Sequence, residues 1–169
     1  MLTKLYKVFS LVLAVFLYAE AESITELLDE AQNSLKNAFE SRASVNSPFY
    51  YYKGETYYHI AVEETSKLNL EVGKLSAKKS IKWSLNSVKN LQPPKKPLIQ
   101  GKGQLYEQLK KLYKLGGAVC SPEYTAKAEA YIDSLSWEGV SQVDKLIFKN
   151  RAEVYLNLAL KSCQKERED

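Results

Sequence analysis

The chain has 169 residues, of which 45% are hydrophobic and 26% are charged, and its formal net charge is +4. These proportions exclude a wholly disordered chain and fit a single domain with a modest core. Seven glycines and five prolines stand mostly between segments of helical periodicity, which favours helices over a turn-rich β protein.

The N-terminus has the three parts of a secretory signal peptide. Lys4 and Lys7 form a basic start, residues 8–17 are a run of low polarity, and Ala19-Glu20-Ala21 supplies a small-x-small cleavage pattern. The run is too short for a membrane-spanning helix, which needs about 20 apolar residues. We therefore predict that residues 1–21 are a signal peptide and that the protein is periplasmic or secreted. An N-terminal membrane anchor and a buried helix are the alternatives.

Residues 22–91, the first part of the mature chain, predict a unit of three helices. The first covers residues 23–43 and has an apolar stripe with a 3.6-residue period. Ser47-Pro48 is a typical start for the second helix, because a proline at the first helical position has no N–H to leave unpaired. The third helix follows a bend near Asn69.

Three prolines and two glycines in residues 92–103 predict a linker between two units. Residues 104–169 again predict three helices. The fourth helix ends at Gly116-Gly117, the fifth begins at Ser121-Pro122 and ends at Gly139, and the sixth follows it. The sequence thus predicts an all-α fold, an antiparallel bundle of about six helices in two related three-helix units, packed as one compact domain.

Two stretches 74 residues apart are nearly alike: VNSPFYYYKGETYYH from Val45 and VCSPEYTAKAEAYID from Val119. Seven of their 15 positions are identical, among them the Ser-Pro pair, a lysine, a glutamate and two tyrosines. Gly54 in the first copy matches Ala128 in the second, and both residues are small enough for a neighbouring helix to approach closely. The pattern predicts an internal duplication in which each unit buries a face that the other would expose.

The spacing Tyr50-x-x-Lys53-Gly54-x-x-Tyr57 resembles the first helix of a tetratricopeptide repeat, where an aromatic, a small residue and a tyrosine recur at these distances. Lys53 stands where that repeat has a leucine, and the pattern of the repeat's second helix does not follow. More broadly, SPFYYYKGETYYHIAVEE and CSPEYTAKAEAYI resemble helices of small exported bacterial proteins of unknown function. This resemblance implies an all-helical, periplasmic, non-enzymatic module and supplies no catalytic residues.

Both cysteines, Cys120 and Cys163, belong to the mature chain, and an oxidising compartment permits a bridge between them. If the fifth and sixth helices form a hairpin that turns at Gly139, the cysteines lie roughly 28 and 34 Å from the turn at about 1.5 Å per residue. They then stand near the same end of the pair, so a structural disulfide is our first prediction. Two free buried thiols and a redox-active pair are the alternatives, although no Cys-x-x-Cys motif supports the latter.

The sequence offers little for catalysis or for metal binding. Glu55, His59 and Glu63 share one face of the second helix, but about 12 Å separates the outer two, which is too far for one ion. Motifs for a nucleophilic serine, a phosphate-binding loop and a dinucleotide are missing. We therefore predict no enzyme activity, no catalytic residue, no metal site and no cofactor.

Five tyrosines crowd the second helix, at positions 50, 51, 52, 57 and 58. Successive helical residues point about 100° apart, so the five side chains do not all face one partner. One hypothesis places Tyr50 and Tyr57 in the core and the others over edges between helices. The other hypothesis is that Tyr51, Tyr52 and Tyr58 line a groove for a ligand or a peptide.

Charge is distributed unevenly along the chain. Eleven lysines and one acidic residue between Lys74 and Lys114 give this segment +10, whereas the rest of the mature chain carries −7. Lys74, Lys78 and Lys82 repeat every four residues along one side of the third helix. Such a surface attracts acidic proteins, acidic glycans or phospholipid headgroups, and export keeps most nucleic acid out of reach. A solvated face that only maintains solubility is the alternative.

Together these features predict an exported helical binding or scaffolding module for an acidic or protein partner, or for another anionic component of the cell envelope. A small-molecule carrier with a tyrosine-lined pocket and a peripheral protein at an anionic membrane surface are the alternative hypotheses. We expect no nucleic-acid partner and, once the signal peptide is removed, no transmembrane segment. The candidate contact residues are Tyr51, Tyr52, Tyr58, Lys74, Lys78 and Lys82.

Overall fold

A computed structural model describes the backbone of residues 23–168 and the side chains of residues 23–165. The predicted signal peptide, residues 1–21, lies outside the described residues. The described part consists of eight helices and contains no strand, so the predicted all-α fold is confirmed. The helices are α1 (Ile24–Glu40), α2 (Ala43–Asn46), α3 (Pro48–Ser66), α4 (Leu70–Ser87), α5 (Gln104–Lys114), α6 (Gly117–Cys120), α7 (Pro122–Ser134) and α8 (Gln142–Glu168).

The six longer helices correspond to the six predicted ones, but two of them end earlier than predicted. The first helix was predicted to reach residue 43, but α1 ends at Glu40 because the chain turns through Arg42, whose φ of 59° is left-handed. The fifth was predicted to reach Gly139, but α7 ends at Ser134. Helices α2 and α6 were not predicted, since four residues are too few to show a helical period.

Helices α3 and α4 form an antiparallel hairpin with a very close approach between their backbones. A Cβ added to Gly54 of α3 would lie 2.7 Å from Ser84 Oγ and 3.0 Å from the Ser84 nitrogen. At the other end of the hairpin, a Cβ on Gly73 of α4 would lie 2.4 Å from Thr65 Oγ1. Small residues at both ends therefore set the spacing of this pair, and α1 packs along α4 with Ile24 beside Gly73.

The second half of the molecule contains the hairpin of α7 and α8, against which α5 and α6 pack. Cys120 at the end of α6 is joined to Cys163 of α8 by a disulfide, with their Cα atoms 5.1 Å apart. The predicted bridge is therefore confirmed. It ties the one-turn helix α6 to the last turns of the longest helix.

Helices α3 and α7 lie side by side in the centre and run in the same direction. Lys53 contacts Glu129, and one turn later Tyr57 contacts Asp133, so the contacts advance together along both helices. The largest core cluster draws its buried side chains from both halves, which therefore pack as one body. Its bulkiest members include Phe49, Tyr57, Ile60, Leu109, Leu112, Tyr131, Phe148 and Leu156.

One turn occurs twice with the same backbone conformation. Arg42 and Gly116 precede α2 and α6 with φ and ψ of 59° and 27° and of 84° and 22°, both left-handed. Ser47 and Ser121 follow these helices with φ and ψ of −144° and 56° and of −148° and 62°. The equivalent residues are 74 positions apart, as the predicted duplication requires.

The linker, predicted as residues 92–103, packs onto the central helices rather than extending into solvent. The Tyr50 hydroxyl donates to the Gln92 carbonyl at 3.1 Å, and the Leu98 N–H donates to Glu129 Oε1 at 3.0 Å. The Tyr50 ring also stacks on Trp83 of α4, and Tyr113 of α5 contacts Glu129. Helix α4, the linker and α5 therefore lie on one side of the central pair.

Candidate functional site on the lysine-rich side

Most lysines between residues 74 and 114 are exposed on α4, the linker and α5. We define the lysine-rich side as Lys74, Lys78, Lys82, Lys95, Lys96, Lys102, Lys111 and Lys114, of which Lys74 is half-buried and the others are exposed. Setting Lys78 aside, none of these lysines forms a salt bridge with another described residue. The positive charge of the other seven lysines is therefore not neutralised by a salt bridge within the described residues.

Apolar and aromatic groups stand among these lysines on α4. Leu75 and Leu85 are 39% and 50% exposed, and the Lys82 ammonium lies 5.1 Å from the centre of the Trp83 ring. A partner at this surface would meet both charge and apolar area. The sequence prediction that Lys74, Lys78 and Lys82 share one side of a helix agrees with their placement, but nothing in the structure shows what they bind.

A buried ion pair lies directly beneath this surface. Lys53 and Glu129 are fully buried and paired with each other, and the Lys53 ammonium is 4.3 Å from the centre of the Trp83 ring. Glu129 also accepts hydrogen bonds from the Tyr113 hydroxyl and the Leu98 N–H. Burial lowers the pKa of Lys53 while Glu129 opposes the shift, and burial together with Glu129 raises the pKa of Tyr113. The sequence placed Lys53 and Glu129 at repeat positions but did not indicate that they pair.

Lys79 is the lysine of α4 that turns inward. Its ammonium lies 2.8 Å from Asp133 and 5.4 Å from the centre of the Trp137 ring. Asp133 also accepts a hydrogen bond of 2.7 Å from Tyr57, whose pKa is raised well above its usual value by complete burial and by that carboxylate. Lys79 therefore contributes to joining the halves and not to the lysine-rich side.

An acidic cluster surrounds Lys67 at the end of α3. The Lys67 ammonium lies 3.0 Å from Glu63, 3.0 Å from Glu64 and 2.6 Å from Asp144. One oxygen of each carboxylate lies within 4.8 Å of the others, a spacing that is compatible with a bound cation. The positive charge at this cluster is supplied by the ammonium group of Lys67. Lys67 and Ser141 lower the pKa of Asp144 by hydrogen bonding to it. Sequence reasoning missed this cluster because Lys67 and Asp144 are 77 residues apart.

The three tyrosines predicted to contact a ligand each pack against other parts of the chain. Tyr51 is 7% exposed, and its ring centre lies 6.4 Å from that of Phe39. Tyr52 is half-buried under the Lys127 ammonium, 5.4 Å from its ring centre. Tyr58 packs against the cluster of small apolar residues between α1 and α4. Tyr52 and Tyr58 are half-buried, as the hypothesis of tyrosines covering edges between helices expects, whereas Tyr51 is buried in a small cluster with Ala38 and Ala43.

Of the cavities that open on the surface of the described residues, two bear on the carrier hypothesis, and neither is lined by Tyr52, Tyr57 or Tyr58. The larger, about 720 Å³, lies between the linker, the start of α5 and the hairpin of α7 and α8. The smaller, about 600 Å³, lies beside Trp137 and Gly139. Tyr57 itself is fully buried and stacks on Trp137 with ring centres 5.8 Å apart. The tyrosine-lined pocket of the carrier hypothesis is therefore not among these cavities.

The sequence comparisons and the structural comparison assign no relative to this chain. No protein-family model matches it, and no curated protein or solved structure does. Among residues 23–168, no helix combines the length and the low polarity needed to cross a bilayer. The resemblance to tetratricopeptide repeats and to small exported proteins stays a prediction.

Proposed function

We propose that the protein is an exported helical binding module whose lysine-rich side holds an acidic protein partner in the cell envelope. The observation that carries the proposal is a set of lysines on α4, the linker and α5 that are exposed and form no salt bridge with another described residue, namely Lys82, Lys95, Lys96, Lys102, Lys111 and Lys114. Opposite charges across an interface speed association and favour correct partners more than they raise affinity. The exposed Leu75 and Leu85 would add apolar contact area.

The arrangement of the core supports a scaffold that presents this surface rigidly. The linker is held by the Tyr50 and Glu129 hydrogen bonds, so Lys95 and Lys96 are attached to a fixed backbone. A rigid surface loses less conformational entropy when a partner binds. The disulfide between α6 and α8 is consistent with an oxidising compartment such as the periplasm.

The proposal is tested by capture from native envelope extract, with crosslinking and mass spectrometry to identify the bound protein. The variant Lys82→Glu/Lys95→Glu/Lys96→Glu reverses three charges of the lysine-rich side. We expect it to lose capture, and we expect capture by the original protein to weaken as salt rises, because exposed charges are screened beyond about 8–10 Å at physiological salt.

The matched control is Lys36→Glu/Lys161→Glu, which reverses exposed charges on α1 and α8 outside the lysine-rich side. We expect this variant to capture the same protein as well as the original does. Capture that survives high salt, or that the control loses as fully as the lysine-rich-side variant, contradicts the proposal.

A further inference from the structure

The repeated turn exposes the same residue in both halves. Val45 in α2 and Val119 in α6 are equivalent across the 74-residue offset and are 67% and 71% exposed. Other shared residues of the repeat have a structural role, since Ser47 and Ser121 are buried and Tyr57 and Tyr131 belong to the core. Neither valine has such a role, so their exposure needs another explanation.

Both valines lie at one end of the molecule, which we call the Ser-Pro end. Because α3 and α7 run in the same direction, their first residues, Pro48 and Pro122, lie at the same end. Helices α2 and α6 directly precede these prolines. Phe39, at the end of α1, is 62% exposed at this end as well. Three exposed apolar side chains thus stand on two separate one-turn projections and the adjoining end of α1.

Basic side chains outnumber acidic ones around these residues. The basic residues at the Ser-Pro end are Lys36, Arg42, Lys89, Lys111, Lys114, Lys161 and Lys165, all exposed, against the acidic Glu40 and Glu123. Glu40 and Glu123 are themselves within 3.9 Å of Lys36 and 2.6 Å of Lys127. The field at this end is therefore positive.

We propose that the Ser-Pro end docks on an anionic lipid surface, with Val45, Val119 and Phe39 entering the headgroup region and the surrounding basic residues contacting lipid phosphates. Exposed apolar side chains with a cationic surround are the combination that binds such surfaces, because apolar burial and attraction to anionic lipid add. This surface shares Lys111 and Lys114 with the lysine-rich side but includes none of its lysines on α4 or in the linker, so the inference goes beyond the proposed function.

The separation of the apolar groups favours lipid over a protein at this end. Val45 and Val119 stand on two different short helices, and each is flanked by solvated basic groups. A fluid interface accommodates separate projections without a matching shape, whereas a tight protein interface needs continuous complementary packing. Docking at this end would use Lys111 and Lys114 and would leave Lys82, Lys95 and Lys96, on α4 and in the linker, available to a partner.

The test is flotation of the disulfide-bonded protein with vesicles of phosphatidylcholine alone and of phosphatidylcholine with phosphatidylglycerol in a two-to-one ratio. We expect binding to the mixed vesicles only, and we expect Val45→Asn/Val119→Asn to reduce that binding at least tenfold while its melting temperature stays close to the original. The matched control is Leu68→Asn, which changes an 83% exposed leucine at the opposite end of α3 and should bind as the original does.

Absence of binding to mixed vesicles, or equal binding by the original and the double valine variant, overturns the inference. Equal loss in the Leu68→Asn control overturns it too. Loss in Lys82→Glu/Lys95→Glu/Lys96→Glu but not in the valine variant would instead place lipid on the lysine-rich side. Failure of the envelope capture with vesicle binding intact would refute the proposed protein partner and leave this docking surface standing.

Discussion

In the first half of the molecule, residues 23–91, the 17-residue helix α1 covers the hairpin of α3 and α4, whereas in the second half the corresponding helix α5 has 11 residues. The second half has the disulfide instead, at positions that Asn46 and Lys89 occupy in the first half. The turn before each Ser-Pro helix is nevertheless the same. The repeated backbone turn is therefore kept in both halves, while the second half adds a covalent bond to the apolar burial that holds its helices.

The halves also differ at the small residue of the repeat. Gly54 has no room for a Cβ against Ser84 of α4, whereas its equivalent Ala128 carries one and is fully buried. Matched lysines differ in the same way, since Lys53 is buried against Glu129 and Lys127 is half-exposed beside Glu123. Equivalent positions of the repeat therefore differ in burial and in the residues that they contact. Substitutions at such positions measure how much this difference contributes to stability.

The largest effect is expected where the halves meet. Glu129→Leu leaves the fully buried ammonium of Lys53 without its partner, so the free energy of unfolding should fall by about 3–5 kcal/mol. The double variant Lys53→Met/Glu129→Leu should recover part of the loss, because it removes both charges but still leaves the Tyr113 hydroxyl and the Leu98 N–H without their acceptor. Chemical denaturation measures the stability of both variants. The control is Glu123→Leu, which removes the half-exposed ion pair between Glu123 and Lys127 and should change stability by about 1 kcal/mol or less. A cost of that small size for Glu129→Leu would show that the buried pair does not join the halves.

Removal of the disulfide should affect the second half most. Cys120→Ser/Cys163→Ser opens a link across 43 residues, for which we expect a loss of about 2–4 kcal/mol. Hydrogen exchange should accelerate in α6 and in the last turns of α8, while the hairpin of α3 and α4 keeps its protection. Uniform acceleration throughout residues 23–168 would contradict a locally acting bridge.

Gly54→Ala tests the close approach of α3 and α4. The new Cβ would lie 3.0 Å from the Ser84 nitrogen, a backbone atom, so we expect a loss of about 1–3 kcal/mol although alanine favours helices. The matched change Ala128→Gly should cost about 1–2 kcal/mol, from helix propensity and from the loss of a buried methyl group. Stabilisation by Gly54→Ala in thermal melts would mean that the helices lie further apart than described.

The left-handed residues of the repeated turn should respond in opposite directions. Arg42→Gly relieves a side chain at φ 59°, so stability should rise by about 0.5–1 kcal/mol, whereas Gly116→Arg should lower it by about 1 kcal/mol. Melting temperatures of the two single variants measure this difference. Equal shifts of the same sign would show that the two turns are not conformationally equivalent.

A smaller, graded effect is expected from pH. Lys67 lowers the pKa of Asp144, and with Arg151 it also lowers the pKa of Glu63, although burial opposes the shift of Glu63. The stabilisation is therefore fully present above the ordinary carboxyl pKa values, about 4, and is lost as pH falls through the lower values of the folded protein. Melting temperatures between pH 2 and pH 6 should fall with acid in the original and fall less in Lys67→Met. Parallel curves would count against this linkage.

Much of the fold follows from local patterns. Ser-Pro pairs, terminal glycines and apolar stripes predict the six longer helices, because capping and amphipathicity depend on residues a few positions apart. The Cys120–Cys163 bridge was predictable as well, since both residues lie at comparable distances from one hairpin turn. The segment that supplies the exposed lysines was visible as a run of charge.

The candidate site was less predictable, because the sequence alone does not show whether a lysine side chain is exposed to solvent or buried. The Lys79 side chain pairs with Asp133 and the Lys82 side chain is exposed, although both belong to the same lysine-rich stretch of α4. The Lys67 cluster brings together carboxylates from α3 and α8 that no local spacing connects. Partners of this kind are separated by about 76 residues in the chain, and only the packing of the halves selects them.

The sequence by itself determined the six longer helices, most of their ends, the repeated Ser-Pro starts and the cysteine pair, because each depends on the backbone preferences of nearby residues or on one hairpin. Only the tertiary structure decided which lysines are buried, which carboxylates neutralise them and which valines face solvent. The physical reason is that the burial of a charge or an apolar group depends on the helix packed against it.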